Sequence, residues 1–223
     1  MFRGMMLAIG LLFALPAAAQ QEEQALVDRA TLAVQELMSS GEQAGDAVGF
    51  LQRARAVMVC PRVFRAGFIL GGEGGSCVLV GRDGAGSWSS PAFYGLGSGS
   101  FGLQIGVQDA MVAMMIMTDR GLQAVMDSQF KVGADASIAL ATIGGGIQGS
   151  TTAAVGADIV AIAKSRGLFA GVSLSGSMLS YRPASARSYY GQAYSARQIV
   201  VAMEAHNPGS DPLRAMLLRY GAR

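Results

Sequence analysis

The stretch GLFAGVSLSG, Gly167 to Gly176, follows Lys164, Ser165 and Arg166, and its reading decides the fold. Glycines beside two cations suit a phosphate-cradling loop, a strand with one face of small residues, or part of a membrane span. A phosphate loop ends in Gly-Lys-Ser or Gly-Lys-Thr and opens a helix, and neither follows here. A span needs about 20 apolar residues, which this run lacks. A period of two remains: Leu168, Ala170, Val172 and Leu174 alternate with Phe169, Gly171, Ser173 and Ser175, as in a strand with one apolar face. Any head-group chemistry then belongs to Lys164 and Arg166 at its mouth.

Upstream, short apolar runs separated by glycine continue the β texture. AVMVC (56–60), GFIL (67–70) and CVLV (77–80) read as strands, with Gly71-Gly72-Glu73-Gly74-Gly75 as the hairpin punctuation between the last two. That glycine run also fails the phosphate-loop pattern. Gly102 and Gly106 mimic a dinucleotide fingerprint only loosely, because no helical pattern follows them. The segment GSGSFGLQIGVQDAMVAMMIMT (97–118) instead reads as two strands. Asp119 is expected to cap a short helix. Further on, Val132-Gly133-Ala134-Asp135 recurs as Val155-Gly156-Ala157-Asp158, each copy leading into an alternating run, and the pair is read as two similar hairpin arms. Asp135 and Asp158 are either paired carboxylates or aspartates at turns and strand starts, and the second reading is preferred.

Helices flank this centre. Ala25, Leu26, Leu32, Ala33, Leu37 and Met38 recur at helical spacing between Glu22 and Met38, and a shorter helix is expected from Gln43 to Ala54. At the other end Ser195-Ala196-Arg197-Gln198 matches a capping box ahead of Ile199 to Met203. Asp211-Pro212 matches an N-cap and first-turn proline of a last helix ending at Tyr220. The fold class is therefore α+β: N-terminal helices, a curved and largely antiparallel β-sheet of roughly seven to ten strands, and C-terminal helices.

The N-terminus MFRGMMLAIGLLFALPAAAQ has one cation at Arg3, an apolar run from Met5 to Leu15 and small residues at Ala17-Ala18-Ala19. This is the pattern of a secretory signal cleaved near Ala19-Gln20, most simply for export to a bacterial periplasm. The expected organisation is a signal peptide over 1–19, a helical segment over 20–55 and a β-rich domain with C-terminal helices over 56–223. In that compartment a disulfide persists once formed, but spacing alone leaves open whether Cys60 and Cys77 bond. The net charge of +2 over 223 residues is far from the basic excess of a nucleic-acid binder. The lone His206, read as part of a C-terminal helix, offers no second imidazole for a zinc site, so no metal or other cofactor is expected. No Gly-x-Ser-x-Gly elbow occurs, so a hydrolase is disfavoured.

Taken together, PRVFRAGFILGGEGG, SCVLVGRDGAGSWSSPAFYGLGSGSFGLQIG and SRGLFAGVSLSGS, followed by Tyr189-Tyr190-Gly191, resemble the SYLF-domain lipid-binding family, over about Ala54 to Gly191. The resemblance carries over the sheet framework: Gly67, Gly95, Gln104-Ile105-Gly106, Gly167 to Val172 and Tyr190-Gly191. Eukaryotic members are associated with phosphoinositide binding and actin organisation at membranes, and exported bacterial members more loosely with lipid binding. This chain lacks the SH3 domain of many eukaryotic relatives, its cysteines lie outside the framework, and export makes actin an unlikely partner.

The resemblance implies binding without turnover. A lipid site pairs cations for the head group with apolar or aromatic surface for the chains. Arg62 and Arg65, in a run with Arg53 and Arg55, supply such cations, as do Lys164 and Arg166. Trp88 and Phe93, with Tyr94, are candidates for the headgroup level. The expected partner is an anionic phospholipid or membrane surface. The alternative is a cell-envelope protein partner, the chain acting as an interaction or structural protein.

Overall fold

Residues 14–39, 44–67, 70–101, 106–127, 129–142, 156–167 and 176–222 are described by the structure, a computed structural model. Val27, Ala30, Val34 and Leu37 recur at helical spacing and are fully buried, so the first helix, α1 (Ala14–Ser39), has a core-facing stripe. It packs on the strands β1 (Ala56–Gly67), β2 (Leu70–Gly81) and β4 (Gly106–Ile116). Leu32, counted above with the apolar face, is instead 64% exposed. The shorter α2 (Ala44–Arg53) buries Ala47 and Leu51.

The remaining strands are β3 (Ala92–Phe101), β5 (Gln129–Lys131), β6 (Ile138–Thr142), β7 (Ile159–Gly167) and β8 (Met178–Tyr181). They form one sheet in the order β5-β8-β3-β2-β1-β4-β7-β6. Neighbours are antiparallel except β6 and β7. The sheet curls: the Ser177 hydroxyl, just before β8, donates to the Glu73 carboxylate on β2, with β3 lying between them in the sheet. The expected α+β architecture is thus the observed one. Residues 168–175, the body of the opening stretch, lie outside the described residues, as do Gln104, Ile105 and Gly144 to Gly146.

Several local expectations are corrected. The glycine run 71–75 is inside β2, not a turn, because β1 and β2 pair all the way from Gly67 opposite Gly71 to Ala56 opposite Gly81. The two echo segments do not make hairpin arms. Ser137 donates from both N and Oγ to the Asp158 carboxylate, and Ile159 N donates to Ser137 O, so β6 and β7 start side by side and run parallel. Asp119 does not cap α3 (Asp119–Met126). Thr118 does, its hydroxyl accepting from Gly121 N while donating to Asp158.

At the C-terminal end a helix absent from the expectations, α4 (Pro183–Tyr190), ends at Gly191, whose φ of 77° needs glycine. The capping box of Ser195 and Gln198 forms, but α5 (Ala196–Val200) stops before Met203, whose φ is positive. His206 therefore lies in an exposed loop rather than on a helix. Ser210, not Asp211, precedes α6 (Asp211–Gly221), and the Asp211 carboxylate pairs with Arg214 in the first turn.

Cys60 and Cys77 are joined by a disulfide. It links β1 to β2 at a bulge, where the register shifts between Val59 and Arg62. Both cysteines are buried in the same hydrophobic cluster as α1, the sheet and the C-terminal helices. Among the described residues no helix is long and apolar enough to cross a membrane.

Candidate functional site

The bulge at Cys60 and Pro61 sets the parity of the remainder of β1. Arg62, Phe64 and Ala66 share one face, while Val63 and Arg65 take the other. Cross-strand pairing places Asp109 of β4 opposite Phe64, and Met111 opposite Lys164 of β7. Helix α1 lies over this face. Between helix and sheet is a groove of about 230 Å³ lined by Arg29, Leu32, Ala33, Glu36, Pro61, Arg62, Asp109, Ala110, Met111 and Lys164.

Charges in the groove alternate. Arg62 Nε donates to Asp109 Oδ2 at 2.8 Å, and Lys164 Nζ lies 3.0 Å from Glu36 Oε1. Arg29 has no hydrogen bond or ion pair with a described residue, and it lines both this groove and an adjoining small pocket with Arg182 and Ser76. Three cations against two carboxylates leave one net positive charge, carried in effect by the free guanidinium. Leu32 and Met111 supply apolar walls. The arrangement can hold an anionic group beside an apolar tail. Among the described residues no cluster of three or more His, Cys, Asp or Glu could hold a metal ion.

Of the residues expected to bind lipid, the structure brings Arg62 and Lys164 together here. Arg166 occupies the β7 position opposite Asp109. Arg65 is removed from the site: it points to the other face, where its Nε donates to Glu73 at 3.0 Å. Trp88 and Phe93 are also corrected, being 2% and 1% exposed. The Trp88 ring lies under α6 near Gly221 and against Arg82, and Phe93 packs edge-on against Tyr189 of α4 at 5.1 Å. Both are core residues because C-terminal helices cover them. Arg55 pairs with Asp119, and Arg53 lies over Phe50, so the run of arginines disperses. Asp135 and Asp158 do not converge. Asp135 accepts from Lys131 N in its own turn, and Asp158 is consumed by Thr118 and Ser137.

Sequence reasoning missed Arg29, Leu32, Glu36 and Asp109. A signal existed: Arg29, Leu32 and Glu36 fall at spacings of three and four, one helical stripe with a leucine between opposite charges.

Comparison with known proteins leads to a family described by binding and regulation. Residues 97–220 match the Ysc84 family, described as "Las17-binding protein actin regulator". The human SH3 domain-containing YSC84-like protein 1 is 32% identical over 139 residues, 62% of this chain and 41% of that protein. The yeast LAS seventeen-binding protein 3 is 28% identical over 170 residues, 75% of this chain and 37% of that protein. The chain thus spans well under half the length of these relatives. With more than half of its residues inside the family match, and with the sheet framework read from its sequence, the chain belongs to the Ysc84 family of SYLF domains.

Proposed function

We propose that the protein is a non-catalytic binding domain that attaches to anionic phospholipid through the groove between α1 and the sheet. One observation carries the reading: Arg29, Arg62 and Lys164 surround a groove walled by Leu32 and Met111, and Arg29 has no internal partner among the described residues. A cation near an anionic surface contributes about 1 kcal/mol, and the contribution fades with salt. Export is part of this proposal. Cleavage at Ala19-Gln20 would leave α1 from Gln20 onward, with Arg29, Leu32 and Glu36 intact. Intact mass of protein from its own host checks the mature N-terminus.

The test is flotation with phosphatidylglycerol vesicles at low salt. Wild type should co-float, and Arg29→Glu should weaken binding about tenfold or more, since it inverts a charge of about 1 kcal/mol. Arg29→Glu breaks no internal pair with a described residue, so its fold should persist. Absence of wild-type co-flotation at low salt overturns the reading.

A second reading has its own support. The family description and the yeast relative's name speak of binding Las17, and the description of regulating actin, which favours a protein partner. The case against actin rests on export alone. An uncleaved leader on cytoplasmic protein would return actin to the candidates, and co-sedimentation with filaments would then decide.

A further inference from the structure

Two large apolar side chains stand exposed on the sheet face that carries the groove. Phe64 is 41% exposed and Val107 is 56% exposed. Phe64 pairs with Asp109, and Val107 with Ala66, so all four project from the same face as Arg62. The Arg62 guanidinium, while donating to Asp109, also lies 5.8 Å from the centroid of the Phe64 ring. The cationic groove and the exposed aromatic are therefore contiguous.

Beyond Phe64, toward β2 and β3, the described residues of this face are glycines. Phe64 pairs with Gly74 and Gly74 with Gly97, while Ala66 pairs with Gly72 and Gly72 with Gly99. Packing does not demand these glycines: a Cβ would come no nearer than 3.9 Å to anything at Gly72 and Gly74 or 3.8 Å at Gly97, and would meet nothing at Gly99. Phe64 and Val107 consequently rise above neighbouring glycine positions, with cations along one side.

We propose that this face lies on a phospholipid bilayer, with Phe64 and Val107 entering the acyl boundary while Arg29 and Arg62 hold lipid phosphates beside them. The inference rests on the lipid reading above and adds the contact surface and the residues that insert. Charge complementarity selects the occupant: apolar pegs flanked by guanidinium groups match acyl chains beneath a layer of phosphates. Because Gly72, Gly74, Gly97 and Gly99 carry no side chains, the part of the face beside α1 that holds Phe64 offers little steric resistance to an approaching surface. Burying the exposed parts of Phe64 and Val107 together strengthens association by about tenfold.

The experiment uses the full chain with phosphatidylglycerol–phosphatidylcholine vesicles, with and without brominated acyl chains. Trp88, the single tryptophan, is buried and serves as an internal control. In Phe64→Trp, the added tryptophan should shift to the blue on vesicles and be quenched by the brominated chains, while wild-type emission stays unchanged. Phe64→Ser/Val107→Ser, and separately Gly74→Glu, should reduce flotation about tenfold or more while the thermal midpoint holds. If wild type floats and Arg29→Glu does not, yet Phe64→Trp is unquenched and the serine pair floats normally, the insertion surface is wrong and the lipid reading stands. If wild type fails to float, both fall. If the serine pair loses binding to an envelope protein but not to vesicles, the face belongs to a protein partner and the proposal is overturned.

Discussion

The guanidinium of Arg82, just after β2, donates to the carbonyl of Gly221 at the end of α6 at 2.9 Å, and also to that of Gln52 in the last turn of α2 at 2.8 Å. Two helices remote in sequence thus share one donor for carbonyls that their own hydrogen-bond ladders leave free. The same group lies 5.4 Å from the centroid of the Trp88 ring, so it fixes the C-terminal helix over the core.

Arg82→Ala should therefore cost about 2–4 kcal/mol, from two charged hydrogen bonds and the lost aromatic contact. A urea titration reads this as a lower midpoint. Arg82→Lys should recover only part of it, because an ammonium cannot present the guanidinium fork to two carbonyls. Full recovery with lysine would show that charge alone matters.

Glu73 is a buried carboxylate held by Arg65 and by the Ser177 hydroxyl, which ties the curled sheet together from β1 to the start of β8. Removing Glu73 takes away the charged hydrogen bond from Arg65 and the acceptor of the Ser177 hydroxyl, so Glu73→Ala should destabilise by about 1.5–3 kcal/mol. The double variant Arg65→Met/Glu73→Leu should be more stable than Glu73→Ala. A double variant as unstable as the single one would argue that the lost hydrogen bonds alone set the cost.

The range of the forces decides how much of the fold and site is legible in the sequence. The capping box at Ser195 and Gln198 is legible because it is completed within four residues. Most of the helices and strand cores are legible because period or a terminal cap decides them, but α4 lacks an N-terminal one: its N-cap position, Arg182, makes no side-chain cap hydrogen bond. The extent of β2 is not: its glycines look like turn residues, and only their pairing with β1 and β3 makes them strand. For the same reason Trp88 and Phe93 are misplaced by local reading, since helices about 100 residues further on bury them. Arg62 and Lys164 stand out as cations, but Arg29, which joins them, comes from a helix whose orientation on the sheet no local pattern reveals.

Asp158 gives a pH signature. Hydrogen bonds from the Thr118 hydroxyl and from Ser137, then the nearby Arg120 charge, hold its carboxyl below the usual value of 3.8. The folded state thus binds the proton less readily than the unfolded one. The resulting stability is fully present above about pH 4 and is lost as pH falls through the folded-state value. Asp158→Asn should therefore be less stable than wild type near neutrality, and the gap should narrow as pH drops below about 4. Chemical unfolding across that range measures it. A gap constant with pH would mean that the charge contributes nothing.

At the alkaline end the aromatic cluster should set the limit. Burial pushes the Tyr181 phenol up to about 12, and Tyr94, Tyr189 and Tyr190 also lie above the ordinary value of 10.0, chiefly through burial. Tyr94 packs edge-on against Tyr181 at 5.6 Å, and Tyr189 against Tyr190 at 5.0 Å, so ionising one would bury a charge against its neighbour. Unfolded tyrosines release their protons near pH 10, before these four do in the folded chain. Stability is then intact below about pH 10 and falls as pH rises beyond it, because the unfolded state loses protons first. Phenolate absorbance at about pH 11 should show these four of the six tyrosines still protonated in folded protein, and all six ionised once urea unfolds it. Smooth ionisation of all six without loss of the far-ultraviolet dichroism would show that the cluster admits water and that burial does not govern its titration.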